Sequence, residues 1–91
     1  MGYIERMKNF PHNPEHKILV TLLREMRLER NMIQNDVAEK LGRPQSFVAK
    51  YENSERRLDF IDVYYISMAL GTSLNDLCSS FERKVQQSKN M

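Results

Sequence analysis

Polar and basic side chains that could bind a nucleic acid are concentrated in residues 34–53, which form two short helical patterns joined by a turn. The second pattern places Val48 and Tyr51 on an inward face, and its opposite face carries no acidic residue. Amide, hydroxyl and ammonium groups can bond to base edges in the major groove of DNA. We therefore predict that this second helix lies in the major groove and reads bases with Gln45, Ser46, Ala49 and Lys50.

The turn between the two helices follows the local rules for helix ends. Val37 and Leu41 lie four residues apart and point inward, and the small Ala38 lets the two helices cross closely. Gly42 follows Leu41, at the position where a helix end favours the left-handed conformation. Pro44 is expected to open the second helix, because its fixed φ suits the first turn and its missing N–H is not needed there.

Charge is distributed unevenly along the chain, although the net charge is only +2. Residues 40–57 contain five basic and two acidic residues. Residues 58–82 contain four acidic residues and no Lys or Arg. A polyanion is therefore expected to be attracted to one end of the molecule and repelled from the other.

Residues from about Ile18 to Leu77 resemble the lambda-repressor-like helix-turn-helix family, also called the Cro/repressor or xenobiotic-response-element type. The resemblance rests on an ordered set of short matches, which are Leu23-Arg24-Glu25-Met26-Arg27, Gln34, Val37-Ala38, Leu41-Gly42, Val48, Tyr51-Glu52-Asn53, Ala69-Leu70-Gly71 and Leu74-Asn75-Asp76-Leu77. The chain departs from the family pattern at the usual Ser or Thr cap (Ile33), at the usual glycine after Glu-Asn (Ser54) and at the cap of the recognition helix (Pro44).

The resemblance implies an all-α fold, a compact five-helix DNA-binding domain with the helix-turn-helix at its second and third helices. The first helix should begin at Asn13 as cap with Pro14 in its first turn. The fourth should run over residues 60–70, between Asp59 as cap and Gly71 as stop. We predict a flexible N-terminal arm over residues 1–12, the domain over 13–82, and an extension of the last helix over 83–91 that frays from Ser88 to Met91.

The resemblance also implies roles for individual side chains. An ion pair between Arg27 and Glu52 should hold the recognition helix in place, with a phosphate contact by Arg27 as the alternative. Arg56 and Arg57 follow the recognition helix, where the family's loop runs along the DNA backbone; a solvated charge cluster is the alternative. The predicted phosphate-binding set is Gln34, Arg43, Asn53, Arg56 and Arg57. Phe47 could contact a thymine methyl or pack beside the second helix.

The predicted fourth helix carries more apolar residues than one buried face requires. Val63, Ile66 and Leu70 suffice for the core of the chain itself. The surplus favours a second buried surface. We therefore predict that Tyr65 and Met68 lie in a homodimer interface; the alternative is that they pack under the N-terminal arm or the last helix.

Other kinds of chemistry find no support in the sequence. No nucleophile–base pair, metal-ligand cluster or phosphate-cradling glycine loop is visible, so we expect neither an enzyme nor a cofactor. His12 and His16 are expected on the surface, and Cys78 is expected to be a small buried hydrophobe. No signal peptide and no apolar run of membrane-spanning length is present, so a cytoplasmic location is expected. No small-molecule ligand is expected in so short a chain.

These observations together predict a sequence-specific transcriptional regulator that binds double-stranded DNA. The simplest form is a homodimeric repressor or autoregulator on a palindromic operator, of the phage-repressor, controller-protein or antitoxin type. A controller could activate as well as repress. The alternative is a protein-interaction module, such as an antitoxin-like partner of another chain, that uses this fold without specific reading of DNA.

Overall fold

Five helices make up most of the part of the chain that the structure describes, which is Met7 and residues 12–89. In this computed structural model, α1 spans Pro14–Glu29, α2 Gln34–Leu41, α3 Gln45–Glu52, α4 Phe60–Ala69 and α5 Leu74–Lys89. No strand occurs within those residues. The predicted all-α architecture, with the helix-turn-helix at the second and third helices, is confirmed.

The predictions for the two chain ends fall mostly on residues outside the described part of the structure. The flexible arm was predicted over residues 1–12, which lie outside the described residues except for Met7 and His12. Asn90 and Met91 lie outside them as well. Helix α5 runs through Ser88 and Lys89, and the fraying of residues 88–91 stays a prediction.

Side chains or backbone geometry define each helix start. Asn13 Oδ1 accepts the His16 N–H at 2.8 Å, and Pro14 takes the first position of α1 as predicted. Ile33 has no capping oxygen; instead, Asp36 Oδ2 accepts the Ile33 N–H at 2.8 Å. Pro44 is the cap residue before α3, with an extended ψ of 153°, as the comparison with the family pattern placed it; the expectation that it takes the first helical position is wrong by one residue.

Positive φ angles mark where the chain turns away from its helices. Gly42 at 64° and Gly71 at 75° follow α2 and α4 in the left-handed region that glycine adopts without strain. Asn31, at 56°, follows α1 in the way that was predicted. Ser54 also has a positive φ, 62°, at the position where the resemblance leads one to expect glycine. Serine in place of glycine therefore keeps the turn here, but the left-handed backbone conformation is strained for a residue with a side chain.

The fourth and fifth helices begin with reciprocal or single caps. Asp59 Oδ1 accepts the Asp62 N–H at 2.7 Å, and Asp62 Oδ2 accepts the Asp59 N–H at 3.1 Å. Ser73 Oγ accepts the Asp76 N–H at 3.0 Å at the start of α5. These hydrogen bonds satisfy amide groups that would have no partner inside the helix. The last residue of α4 is Ala69 rather than Leu70.

One hydrophobic core joins the five helices. Helix α2 packs most closely on α3 and also on α4, while α1 contacts α3 and α5, and α5 contacts α4. The buried residues of this core are Val20, Leu22, Leu23, Met26, Val37, Ala38, Phe47, Val48, Tyr51, Leu58, Val63, Ile66, Ala69, Leu70 and Leu77. Each fully buried aliphatic side chain contributes about 1.5–3 kcal/mol, so the α2–α3 unit is held mainly from its inner side.

Two predictions about single residues are wrong. His16 was expected on the surface, but it is buried, at 9% exposure. It shares one stripe of α1 with Val20, Leu23 and Arg27, at the 3.6-residue period of a helix, and all four are buried. Cys78 is half-buried rather than fully buried.

Candidate nucleic-acid interface

Helix α3 presents a polar face outward because its apolar face is anchored in the core. Val48 and Tyr51 are 0% and 1% exposed, as their spacing predicts. Gln45, Ser46 and Lys50 are exposed, and Ala49 is half-buried. The structure thus brings the four predicted base-reading residues onto one outer surface of α3, with only the methyl group of Ala49 partly covered.

A buried ion pair ties the end of α3 to α1. The Arg27 guanidinium donates to Glu52 through Nε at 2.8 Å and through Nη2 at 3.0 Å. Arg27 Nη1 donates to the Met32 carbonyl at 2.8 Å. The side chains of Arg27 and Glu52 are 9% and 2% exposed, so Arg27 is turned away from any phosphate outside. The hydrogen bonds to Glu52 raise the pKa of Arg27 above its ordinary value, and the pair stays charged.

The same carboxylate continues into a chain of side-chain amides that reaches the outer face of α3. Gln34 Nε2 donates to Glu52 Oε1 at 3.1 Å. Gln45 Nε2 donates to Gln34 Oε1 at 3.4 Å. Gln34 was predicted to bind phosphate, and its position at the start of α2 keeps that prediction open. The structure adds a contact that the sequence did not predict, because Gln34 also holds the amide of a base-reading candidate.

Two of the predicted phosphate-binding arginines share one aromatic ring. The Arg43 guanidinium lies 4.5 Å from the centroid of the Phe47 ring, and the Arg56 guanidinium lies 4.8 Å from it. Arg43 precedes α3 and Arg56 follows it, so a residue in the first turn of the helix organises cations from both flanking segments. Asn53, another predicted phosphate contact, is exposed at the C-terminal end of α3.

The loop after α3 is fixed to the helix and to α1. The Glu55 and Arg56 N–H groups both donate to the Lys50 carbonyl, at 2.8 and 3.2 Å. At its far end, the Leu58 N–H donates to His16 Nε2 at 3.2 Å, a contact between residues 42 positions apart. His16 therefore accepts through a nitrogen that carries no proton. Burial, and secondarily the charge of Arg57, lowers the pKa of His16, which favours this neutral form.

Arg57 lies next to this anchor, exposed at the surface. Its Nη1 donates to the Met7 carbonyl at 3.3 Å. Arg57 thus connects the loop to Met7, a contact that the sequence did not predict. The three arginines 43, 56 and 57 all lie within one turn or loop of α3, where a positive potential was expected.

A separate apolar surface covers the outer side of α4. Tyr65 and Met68, the predicted interface residues, are 56% and 58% exposed. Large apolar neighbours on the same helix are also exposed, namely Phe60, Ile61 and Tyr64. The two tyrosine rings are in contact, with centroids 5.4 Å apart. We call these five side chains the α4 apolar surface.

Other kinds of site do not emerge from the described residues. No group of three or more His, Cys, Asp or Glu side chains there could hold a metal ion. No helix in that part of the chain has the length and apolar character needed to cross a membrane. Helices α3 and α4 each present an exposed surface of a kind that can bind another molecule.

Comparisons with known proteins agree with this geometry. A model of a helix-turn-helix family matches residues 23–77. An XRE-family like protein from Pseudomonas syringae pv. tomato str. DC3000 is 43% identical, with 79% of this chain and 88% of that chain covered and a TM-score of 0.74. No curated protein sequence matches the chain.

A restriction-modification controller protein, C.Esp1396I, has the same fold at low identity. Its wild-type structure is 19% identical over 80% of this chain and 96% of that chain, with a TM-score of 0.76. A second structure of that controller, a tetramer in complex with its natural 35 base-pair operator, matches with the same TM-score and identity. At this identity the similarity concerns the fold.

Proposed function

This chain belongs to the XRE family of helix-turn-helix DNA-binding transcription regulators, and we propose that it acts as a homodimer that binds a palindromic operator and represses transcription. The observation that carries the proposal is the outer surface of α3. Gln45, Ser46 and Lys50 are exposed there, while the opposite side of the helix is locked into the core. Side chains of these types can pair with adenine or guanine in the major groove.

The arrangement of positive charge supports the same proposal. Arg43, Arg56 and Arg57 are exposed in the segments that flank α3, where the sugar–phosphate backbone would pass a helix inserted into the groove. Contacts of this kind set the register of the protein on DNA but carry no sequence information. Base reading by α3 and backbone binding by its flanking segments would then be separable in experiment.

The α4 apolar surface supports the homodimer. Five large apolar side chains are exposed on this helix of ten residues, and a contiguous exposed apolar patch is typical of an interaction surface. A second copy would bury them and would double the number of base contacts. In a twofold dimer the two α3 helices would reach half-sites about 34 Å apart, one turn of the duplex. A single domain with one short reading helix would otherwise have few contacts with which to select a sequence.

Selection from a pool of random 30-base-pair duplexes tests this function directly. The enriched sequences should form an inverted repeat. Binding of the selected duplex should weaken steeply between 50 and 200 mM salt, because phosphate contacts release counterions. The variant Gln45→Ala should lose the preference at one symmetric pair of positions while it keeps binding to unselected duplex. Enrichment of no sequence, together with binding that is indifferent to salt, would overturn the proposal.

The α4 apolar surface also favours a second candidate, which is a module that binds another protein without reading DNA. Under this alternative, the surface substitution Met68→Lys would abolish the interaction with a partner, and α3 substitutions would have no effect. The random-pool selection separates the two candidates, because only a DNA reader enriches a sequence. The exposed, acid-free surface of α3 leads us to prefer the operator-binding function.

A further inference from the structure

The ring of Phe47 contacts two arginine side chains although Phe47 is a buried core residue. Its ring centroid is 4.5 Å from the Arg43 guanidinium and 4.8 Å from the Arg56 guanidinium, within the range of about 6 Å over which a cation is attracted to an aromatic face. Arg43 comes from the turn before α3 and Arg56 from the loop after it. The ring therefore brings together two side chains that are 13 positions apart in the sequence.

The two guanidinium groups repel each other, and no carboxylate in the described part of the chain lies within ion-pair distance, 4.0 Å, of either one. Both lie close to the same ring, so they are separated by no more than about one Debye length at 0.1 M salt, ~10 Å. In the described part of the chain, the ion pairs within 4.0 Å involve Arg24 and Arg27 with Glu52, not Arg43 or Arg56. Asp62 lines the same shallow cavity as Arg43 and forms no ion pair with it; its Oδ2 accepts the Asp59 N–H. An external anion would relieve this repulsion.

The ring itself is held rigidly. Phe47 is 8% exposed, and its ring meets Tyr51 edge-on, with centroids 5.6 Å apart and an angle of 74° between the planes. Tyr51 is 1% exposed and cannot move aside without opening the core. This burial leaves little of the Phe47 ring for a thymine methyl, one of the contacts predicted for it. The ring is better placed as a fixed platform for the arginines.

We propose that Phe47 is a positioning residue that holds Arg43 and Arg56 as a clamp for the phosphate backbone of double-stranded DNA. The inference rests on the proposed DNA binding and deepens it. A cation–π contact with the ring uses none of the guanidinium N–H groups as hydrogen-bond donors to the protein, so these groups can donate to phosphate oxygens. Ordering both side chains in advance lowers the entropy lost when DNA binds. The clamp should act on every sequence alike, since it reads no base.

A double-mutant cycle on mixed-sequence duplex DNA tests the clamp without knowledge of the operator. The probe is a fluorescein-labelled pool of 30-base-pair duplexes, and binding is followed by anisotropy between 50 and 200 mM KCl. Arg43→Gln and Arg56→Gln should each flatten the dependence of log affinity on log salt by about one. Phe47→Leu should weaken binding by about 2–5-fold per released arginine, and leave that slope unchanged because both charges remain.

Coupling between the substitutions distinguishes positioning from a merely structural effect. In the Phe47→Leu background, Arg43→Gln and Arg56→Gln should each weaken binding less than they do in the wild type. Arg57→Gln is the matched control, because its guanidinium donates to the Met7 carbonyl instead, and its effect should be the same in both backgrounds. Phe47→Tyr keeps an aromatic face and should retain the coupling.

The test compares the fold-loss in affinity of the double variant with the product of the fold-losses of Phe47→Leu and the Gln variant. Agreement of the two within about twofold would overturn the clamp. Circular dichroism and thermal melting monitor folding, and Phe47→Met replaces Phe47→Leu if the latter unfolds. A wild-type protein that fails to bind the duplex pool at 50 mM KCl would overturn the proposed function itself, whereas binding with full additivity would overturn only the clamp.

Discussion

The Gln45 side-chain amide donates a hydrogen bond to the Gln34 amide oxygen at 3.4 Å, although the two residues begin different helices. Gln34 is itself held by the Glu52 carboxylate. The amide of Gln45 is therefore oriented before DNA binds, and its oxygen and second N–H remain to pair with adenine. Glu52 in this way connects Arg27, through Gln34, to the side-chain amide of Gln45, which is a predicted base-reading group.

Substitution of either glutamine should alter the same base preference. Under the proposed function, Gln45→Ala should remove about 1–3 kcal/mol of discrimination at one base pair. Gln34→Ala should remove less discrimination at that same pair, about 0.5–1.5 kcal/mol, because among the contacts of Gln34 only its hydrogen bond with Gln45 acts on that base. The double variant should be no worse than Gln45→Ala alone. Competition anisotropy against single-base operator variants measures all three.

Arg57→Ala serves as the contrast for these variants, since it should weaken all sequences alike and flatten the salt dependence by about one ion. A preference that shifts at a different base pair in Gln34→Ala would contradict the link between the two amides. So would losses that add in the double variant.

The parts of the fold that were predictable follow from local rules. Gly42 and Asn31 mark helix ends through their own backbone preferences, and Asp59 caps α4 through residues three positions away. The inward spacing of Val48 and Tyr51 gave the orientation of α3 without any tertiary information. The error at Pro44 is equally local, because proline suits the cap position and the first turn alike.

The contacts that the sequence did not predict join residues from different elements. The hydrogen bond from Leu58 to His16 spans 42 positions, and nothing local in either residue requires it. The shared platform at Phe47 depends on how the loop after α3 folds back on the helix. His16 is the one residue among these whose burial could have been predicted from the sequence, because it continues the buried stripe of α1. It was wrongly assigned to the surface.

The ion pair between Arg27 and Glu52 should dominate the electrostatic contribution to stability. Arg27→Met leaves a carboxylate that is 2% exposed without its main partner, so it should lower the free energy of unfolding by about 3–5 kcal/mol. Arg24→Met is the control: Arg24 lies 3.9 Å from the same carboxylate but is 60% exposed, and its loss should cost at most about 1 kcal/mol. Urea unfolding measures both. Equal losses in the two variants would contradict a buried pair.

His16 should make the stability of the protein depend on pH in the mildly acidic range. Its pKa in the folded state lies below the ordinary value of about 6.5, so the unfolded chain takes up a proton first as the pH falls. The stabilisation is therefore complete above about pH 6.5 and is lost as the pH falls through the folded-state pKa. The melting temperature, measured from pH 7.5 to 5.0, should fall more steeply in the wild type than in His16→Gln.

The choice of glutamine keeps an oxygen that can accept the Leu58 N–H but does not titrate in this range. His12 remains in both proteins, so its protonation contributes equally to the two curves. Parallel melting curves over the whole pH range would show that His16 contributes nothing to acid sensitivity.

The α4 apolar surface gives the sharpest test of the dimer. Met68→Lys places a charge at a side chain that is 58% exposed in the single chain, so a monomer should fold as before. In a dimer the same ammonium would be buried in an apolar interface, which is strongly unfavourable. Light scattering after gel filtration should show a dimer for the wild type and a monomer for the variant, with unchanged circular dichroism.

Leu28→Lys is the matched control, because Leu28 is another exposed apolar residue, at 49%, but lies on α1. It should remain dimeric. Under the proposed function, Met68→Lys should also weaken binding to the full inverted repeat far more than binding to a single half-site, since only the former needs two reading helices. A wild-type protein that stays monomeric at high concentration and on DNA would contradict the dimer, and equal losses on both duplexes would separate the α4 apolar surface from operator recognition.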